Sequence, residues 1–149
     1  TPSASSAASD VYKRQTFHDE ITVKAQTNST GNYNNATNLT SEVVTIQAGS
    51  SAAKVLDSVT AGTYTTYEYL IQAKQASNGY IHSTKILLVQ NGTDIFMTEY
   101  GTVYSNDILV TFDADHNGGN FRLLATKTAA AVSSNNLVTV KVTRTAVTA

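Results

Sequence analysis

Tyr67 to Val147 decides the fold. The stretch contains YEYLIQAKQ (67–75), STKILLVQNGTDIFMTEYGTV (83–103), ILVTFDADHNGGNFRLLATK (108–127) and NLVTVKVTRTAV (136–147). Each run is short, rich in β-branched and aromatic residues, and bounded by turn residues, which is the pattern of a β meander. Asn91-Gly92 and Asn117-Gly118-Gly119 fall where strands must reverse, since a tight hairpin loop needs residues that tolerate positive φ. Within the first run, Tyr67, Tyr69, Ile71 and Ala73 alternate with Glu68, Leu70, Gln72 and Lys74, so Tyr64 to Ala76 is expected as a long strand near a sheet centre. Ile86 to Val89 is continuously apolar, as in a strand buried on both faces or leaning on a second sheet.

Upstream, Ile21, Val23 and Ala25 alternate with Thr22, Lys24 and Gln26, giving a strand over about Glu20 to Thr27. NSTGNYNNATN (28–38) reads as a polar loop, because Asn, Ser and Thr side chains compete for their own backbone. SEVVTIQA and AKVLDSVT, separated by Gly49-Ser50-Ser51, read as a hairpin. The sum is about eight strands with no substantial helix: an all-β, antiparallel two-sheet β-sandwich, with a jelly-roll-like arrangement as the alternative.

The chain has 149 residues, a formal net charge of -1, 14% charged residues and no cysteine. That length fits one domain, expected over 16–149. Without cysteine there is no disulfide, no thiolate nucleophile and no thiolate-bound metal. The ten basic residues are scattered, so no nucleic-acid footprint forms, and no apolar run is long enough to cross a bilayer as a helix. Neither nucleic acid nor membrane is an expected partner. Residues 1–15, TPSASSAASDVYKRQ, carry no periodicity and read as non-native or linker sequence. DVYKRQ resembles the translated adapter or vector sequence that heads reading frames in environmental collections.

Chemistry-bearing patterns are few. Asp113-Ala114-Asp115-His116-Asn117-Gly118 copies the opening of an EF-hand loop, which makes Asp113, Asp115 and Asn117 calcium candidates. The twelfth position is Leu124 where that loop needs a bidentate glutamate, so the competing reading is a strand end and a turn. His18, His82 and His116 lie in no metal-ligand spacing, and His82 is expected as a solvent-facing or half-buried structural residue. No serine sits in a nucleophile turn, and Glu68, Asp94, Glu99 and Asp107 stand alone, so no catalytic residue and no enzymatic role are expected. Tyr64, Tyr67, Tyr69, Tyr100 and Tyr104 are candidate ligand or subunit contacts, their rings offering an apolar face with a polar tip. The sequons at Asn28, Asn35, Asn38 and Asn91 are the number chance gives at this composition.

Four linked motifs carry a family resemblance: Tyr67-Glu68-Tyr69-Leu70-Ile71-Gln72, Leu87 to Thr93 (LLVQNGT), Thr98 to Thr102 (TEYGT), and Phe112 to Leu124 (FDAD, then GNFRLL). Over residues 64–147 the chain resembles a β domain recurrent in virion structural proteins of marine tailed phages, especially cyanophages. Residues 17–63 match that pattern less well. The resemblance implies a virion location in a tail fibre, a baseplate or a capsid-surface decoration protein. It also implies partners among other virion proteins and copies of the same chain, with trimers suiting a fibre, and it brings no cofactor. A receptor- or carbohydrate-binding module at a fibre tip, facing a host-surface glycan, is the alternative.

Overall fold

The computed structural model describes residues 20–26, 33–132 and 136–148. The 1–15 segment therefore lies outside the described residues, as do Thr27, the 28–32 part of the expected polar loop, and His18. Among the described residues nine strands form: β1 (Glu20–Gln26), β2 (Tyr33–Ile46), β3 (Lys54–Thr60), β4 (Tyr64–Gln75), β5 (Ile81–Gln90), β6 (Ile95–Tyr104), β7 (Val110–Asn117), β8 (Asn120–Lys127) and β9 (Val138–Thr148). A single helical turn, α1 (Ala129–Val132), links β8 to β9. All pairings are antiparallel. The strands order as β1-β2-β9-β4-β5-β6 in a six-stranded sheet and β3-β8-β7 in a three-stranded sheet.

The expected all-β two-sheet arrangement is what forms, and the alternation in the sequence accounts for how the sheets meet. On β4, Tyr67, Tyr69, Ile71 and Ala73 are buried and the residues between them are exposed. On β8 the same two-residue period buries Phe121, Leu123 and Ala125. These faces pack together into one core, with the Tyr67 ring 4.8 Å from that of Phe121 across the sheets and stacked on Tyr69 at 6.1 Å and 8°. β4 lies between β9 and β5, in the middle of its sheet as expected.

Two local expectations are corrected. SEVVTIQA and AKVLDSVT do not form a hairpin: β2 pairs with β1 and β9, whereas β3 crosses to the other sheet and pairs with β8. The turn at Gly49 therefore turns a corner between layers. Residues 33–38 are strand and not loop, because β1 and, from Thr37 on, β9 supply partners for their backbone, as in the pairings of Asn34 with Ala25 and Asn38 with Ala146. Long-range pairing overrides the local preference of Asn and Thr. For Ile86 to Val89 the second of the two expectations holds: the run leans on the other sheet by one face, with Ile86 and Leu88 in the core, while Leu87 and Val89 stay 40% and 42% exposed.

The turn signals hold. Gly118 and Gly119, at φ 59° and 80°, close the two-residue loop between Asn117 and Asn120. At the β5–β6 turn the Asn91 side-chain oxygen accepts the backbone N–H groups of Thr93 (2.9 Å) and Asp94 (2.7 Å).

Candidate functional site

Among the described residues the inward-facing register contains three basic side chains that a core does not ordinarily hold: His82, Lys127 and Arg144. On β9, Val138, Val140, Val142, Arg144 and Ala146 all point inward, so the backbone carries the guanidinium between the sheets. There it meets Asp57 of β3, with Nη1 donating to both carboxylate oxygens at 3.0 and 2.9 Å, while Nη2 donates to the Asn38 side-chain oxygen at 2.8 Å. The Tyr69 hydroxyl donates to the same carboxylate at 2.8 Å, and Arg144 lies 5.6 Å from the Tyr64 ring centre. Burial and the adjacent Asp57 carboxylate push the Tyr69 phenol well above its ordinary range. Four strands from both sheets converge on this cluster. Its charges are already matched to one another, so it serves as a clamp between layers.

Lys127 ends the inward row of β8 and donates its ammonium to the carbonyls of Gln47 (3.2 Å) and Asn136 (2.7 Å); burial lowers its pKa. His82, expected at the surface or half-buried, is 1% exposed, and neither ring nitrogen has a hydrogen-bond partner among the described residues. Its ring packs 6.1 Å from Phe112. Burial pulls its pKa below the ordinary value, against the raising influence of Glu99.

The candidate contact tyrosines separate. Tyr67 and Tyr69 are fully buried, since the inward register of β4 spends both rings on the core, and they present nothing to a ligand or a subunit. Tyr64 is half-buried beside Tyr67. Tyr100 and Tyr104 are 42% and 51% exposed. They leave β6 on opposite faces: Tyr100 stands opposite exposed Lys85, and Tyr104 opposite buried His82. A one-residue bulge at Gly101, where φ is 67°, separates them and gives TEYGT its physical meaning. The exposed tyrosines therefore form no common platform for a sugar ring.

The calcium candidates lie on strand β7 and its end, and not in a loop. At two-residue spacing along a strand, Asp113, Asp115 and Asn117 stand about 7 Å apart in succession, too far to share one cation without rearrangement. Asp115 is engaged by Arg122, whose Nε donates to Oδ1 at 2.8 Å; this hydrogen bond, with the guanidinium charge behind it, lowers the carboxylate pKa. Among the described residues no group of three or more His, Asp or Glu side chains is placed to hold a metal ion.

What remains is surface, and it is unevenly apolar. On the outer side of the large sheet, Val43, Leu70, Leu87, Val89, Phe96 and Val103 are between 40% and 68% exposed. A shallow recess of about 250 Å³ lies among Leu87, Val89, Phe96, Met97 and Thr98 at the β5–β6 end. A second, about 200 Å³, is lined by Glu68, Leu70, Lys85, Thr143 and Thr145. Beside it, Lys85 and the Tyr100 hydroxyl both donate to Glu68 at 3.1 Å, which lowers the Glu68 pKa and keeps this part of the face polar. The clamp residues Asn38, Asp57 and Arg144 were not singled out by motif. Their signal was a charge in the inward register of β9, legible once β9 is aligned by its valines.

No protein-family model matches the chain, and a search of curated proteins gives no match. Among solved structures, the chain is similar to the tailspike protein of Acinetobacter baumannii phage AM24, at TM-score 0.42 and 11% identity, over 74% of this chain. It spans only 26% of the length of that neighbour. A likeness this slight assigns neither family nor activity.

Proposed function

We propose that this chain is a structural module of a phage particle, in a tail fibre, a baseplate or a capsid-surface protein, acting by protein–protein assembly and not by catalysis. The observation that carries this reading is the outer face of the large sheet, where six large apolar side chains, from Val43 to Val103, remain exposed on one layer. Large apolar side chains gathered on one layer, densest where Leu87, Val89 and Phe96 line one recess, are costly to leave in water and mark a contact surface. The linked motifs from Tyr67 to Leu124, with their resemblance to virion structural domains, supply the setting. The buried ionisable residues support it as well: Asp57 and Arg144 are paired with each other, and Lys127 is held by backbone carbonyls, so their chemistry is structural. The reading needs no cofactor.

The test is mass spectrometry of purified particles with immunogold labelling against this chain. Label at regular, symmetry-related positions on the particle is the expected result. Recovery of the protein only from the infected-cell lysate, and never from particles, would overturn it. The glycan-binding alternative has less support, because Tyr67 and Tyr69 lie in the core and Tyr100 and Tyr104 diverge.

A further inference from the structure

Three asparagines precede a glycine in this chain: Asn78, Asn91 and Asn117. Such a pair is chemically labile, because the glycine nitrogen, unhindered by a Cβ, can attack the asparagine side-chain amide. All three pairs are exposed, and a Cβ added at any of the three glycines meets no atom within 4 Å. Exposure and room therefore do not separate them. Hydrogen bonding does.

At Asn91 the side-chain amide is held at both ends. Oδ1 accepts the Thr93 and Asp94 N–H groups, and Nδ2 donates to the Asp94 carboxylate at 3.3 Å. Turning that amide onto the Gly92 nitrogen breaks these bonds, and the carboxylate opposes the negative charge that attack builds on Oδ1. At Asn78 the Ser77 hydroxyl donates to Oδ1 at 2.9 Å, and the attacking group is itself engaged: the Gly79 N–H donates to the Gln75 carbonyl at 3.1 Å.

At Asn117 neither restraint exists among the described residues: its side-chain amide and the Gly118 N–H have no hydrogen-bond partner. Asn117 ends β7 and pairs with Asn120, so Gly118 is the first loop residue, outside the ladder. The neighbouring carboxylate on that face of β7, Asp115, is already matched by Arg122.

We infer that Asn117 is a spontaneous modification site of the folded chain, converting through a succinimide to aspartate and isoaspartate. The Gly118 nitrogen gives its proton to hydroxide and attacks Cγ of Asn117. A new N–C bond forms, the Cγ–Nδ2 bond breaks, and the amide nitrogen takes a proton from water and leaves as ammonia. Water then adds to one of the two ring carbonyls. Opening at the side-chain carbonyl gives aspartate. Opening at the main-chain carbonyl gives isoaspartate, whose main chain runs through Cβ and is one carbon longer. Water is the only co-reactant.

Either product adds a negative charge to the row of β7 that carries Asp113 and Asp115. The isoaspartyl product also lengthens the main chain at the pair that closes the β7–β8 ladder, beside a loop of two residues. The site does not depend on the assembly reading above.

The full chain is incubated folded in mildly alkaline buffer and, in parallel, unfolded in guanidinium chloride, and both samples are digested with trypsin. Cleavage after Lys74, Lys85 and Arg122 releases 75–85, with Asn78, and 86–122, which carries Asn91 and Asn117 together as an internal comparison. Fragment masses locate the amide-to-acid gain, with an unincubated sample as baseline. The expected result is conversion at Asn117 at least several-fold faster than at Asn91 or Asn78 in the folded chain, with comparable rates at all three in the denaturant. Conversion of Asn91 or Asn78 as fast as Asn117 in the folded chain overturns the proposal, as does an Asn117 that converts only when unfolded. The same ranking in denaturant also overturns it, since the difference would then belong to the local sequence and not to the fold.

Discussion

Asp57 and Arg144 are 87 positions apart in the chain, yet their side chains form an ion pair between the sheets. Both are about nine-tenths buried, so removing one partner leaves the other charged and dry. Asp57→Ala is expected to cost about 3–5 kcal/mol, read as a drop in the urea midpoint, whereas replacing both residues with apolar ones should cost less than that single change. His82 makes a different prediction. Burial keeps its imidazole below the ordinary value near 6.5, so as pH falls past that value the unfolded chain takes up a proton that the folded chain refuses. Stability from this group is complete above that pH and declines below it, until the folded value is reached. His82→Leu should remove that decline and relieve two unpartnered ring nitrogens, so its stability advantage over the parent should widen between about pH 7 and pH 5 in parallel urea titrations.

At the scale of elements, β4, β8 and β9 were legible because one two-residue period ran unbroken through each, and Gly118-Gly119 marked a reversal by its need for positive φ. β2 was half hidden: its N-terminal portion is Asn- and Thr-rich, and only pairing with β1 and the distant β9 makes it a strand. The false hairpin at Gly49 has the same origin, since a turn residue shows that the chain bends and not which sheet it enters next. Ile86 to Val89 could be read as buried on both faces or leaning on a second sheet, and nothing local in the run says that Leu87 and Val89 face outward. Gly101 sets the geometry of β6, and a side chain there meets no neighbouring atom within 4 Å, so its cost is conformational. Gly101→Ala is expected to destabilise by roughly 1–2 kcal/mol through the positive φ alone, measured by thermal unfolding, and to shift the amide resonances of Val103 more than those of Phe96.

For the whole molecule, the two sheets close over a core centred on Tyr67, Tyr69 and Phe121, and that use of the tyrosines removes two of the five candidate contacts from the surface. Of the functional reading, the family-like motifs were visible in sequence, whereas the apolar edge was not, because Phe96 and Val103 become one face only through the bulge between them. Outer-face exposure on the large sheet then points toward contacts with other protein surfaces. The most direct measurement is electron microscopy of the particle, at a resolution that traces strands, around this chain. The account predicts that a neighbouring protein or a second copy covers the outer face of β4, β5 and β6 and excludes water from Leu87, Val89 and Phe96. A chain absent from the particle, or one projecting from it with that face uncovered in every copy, would contradict it.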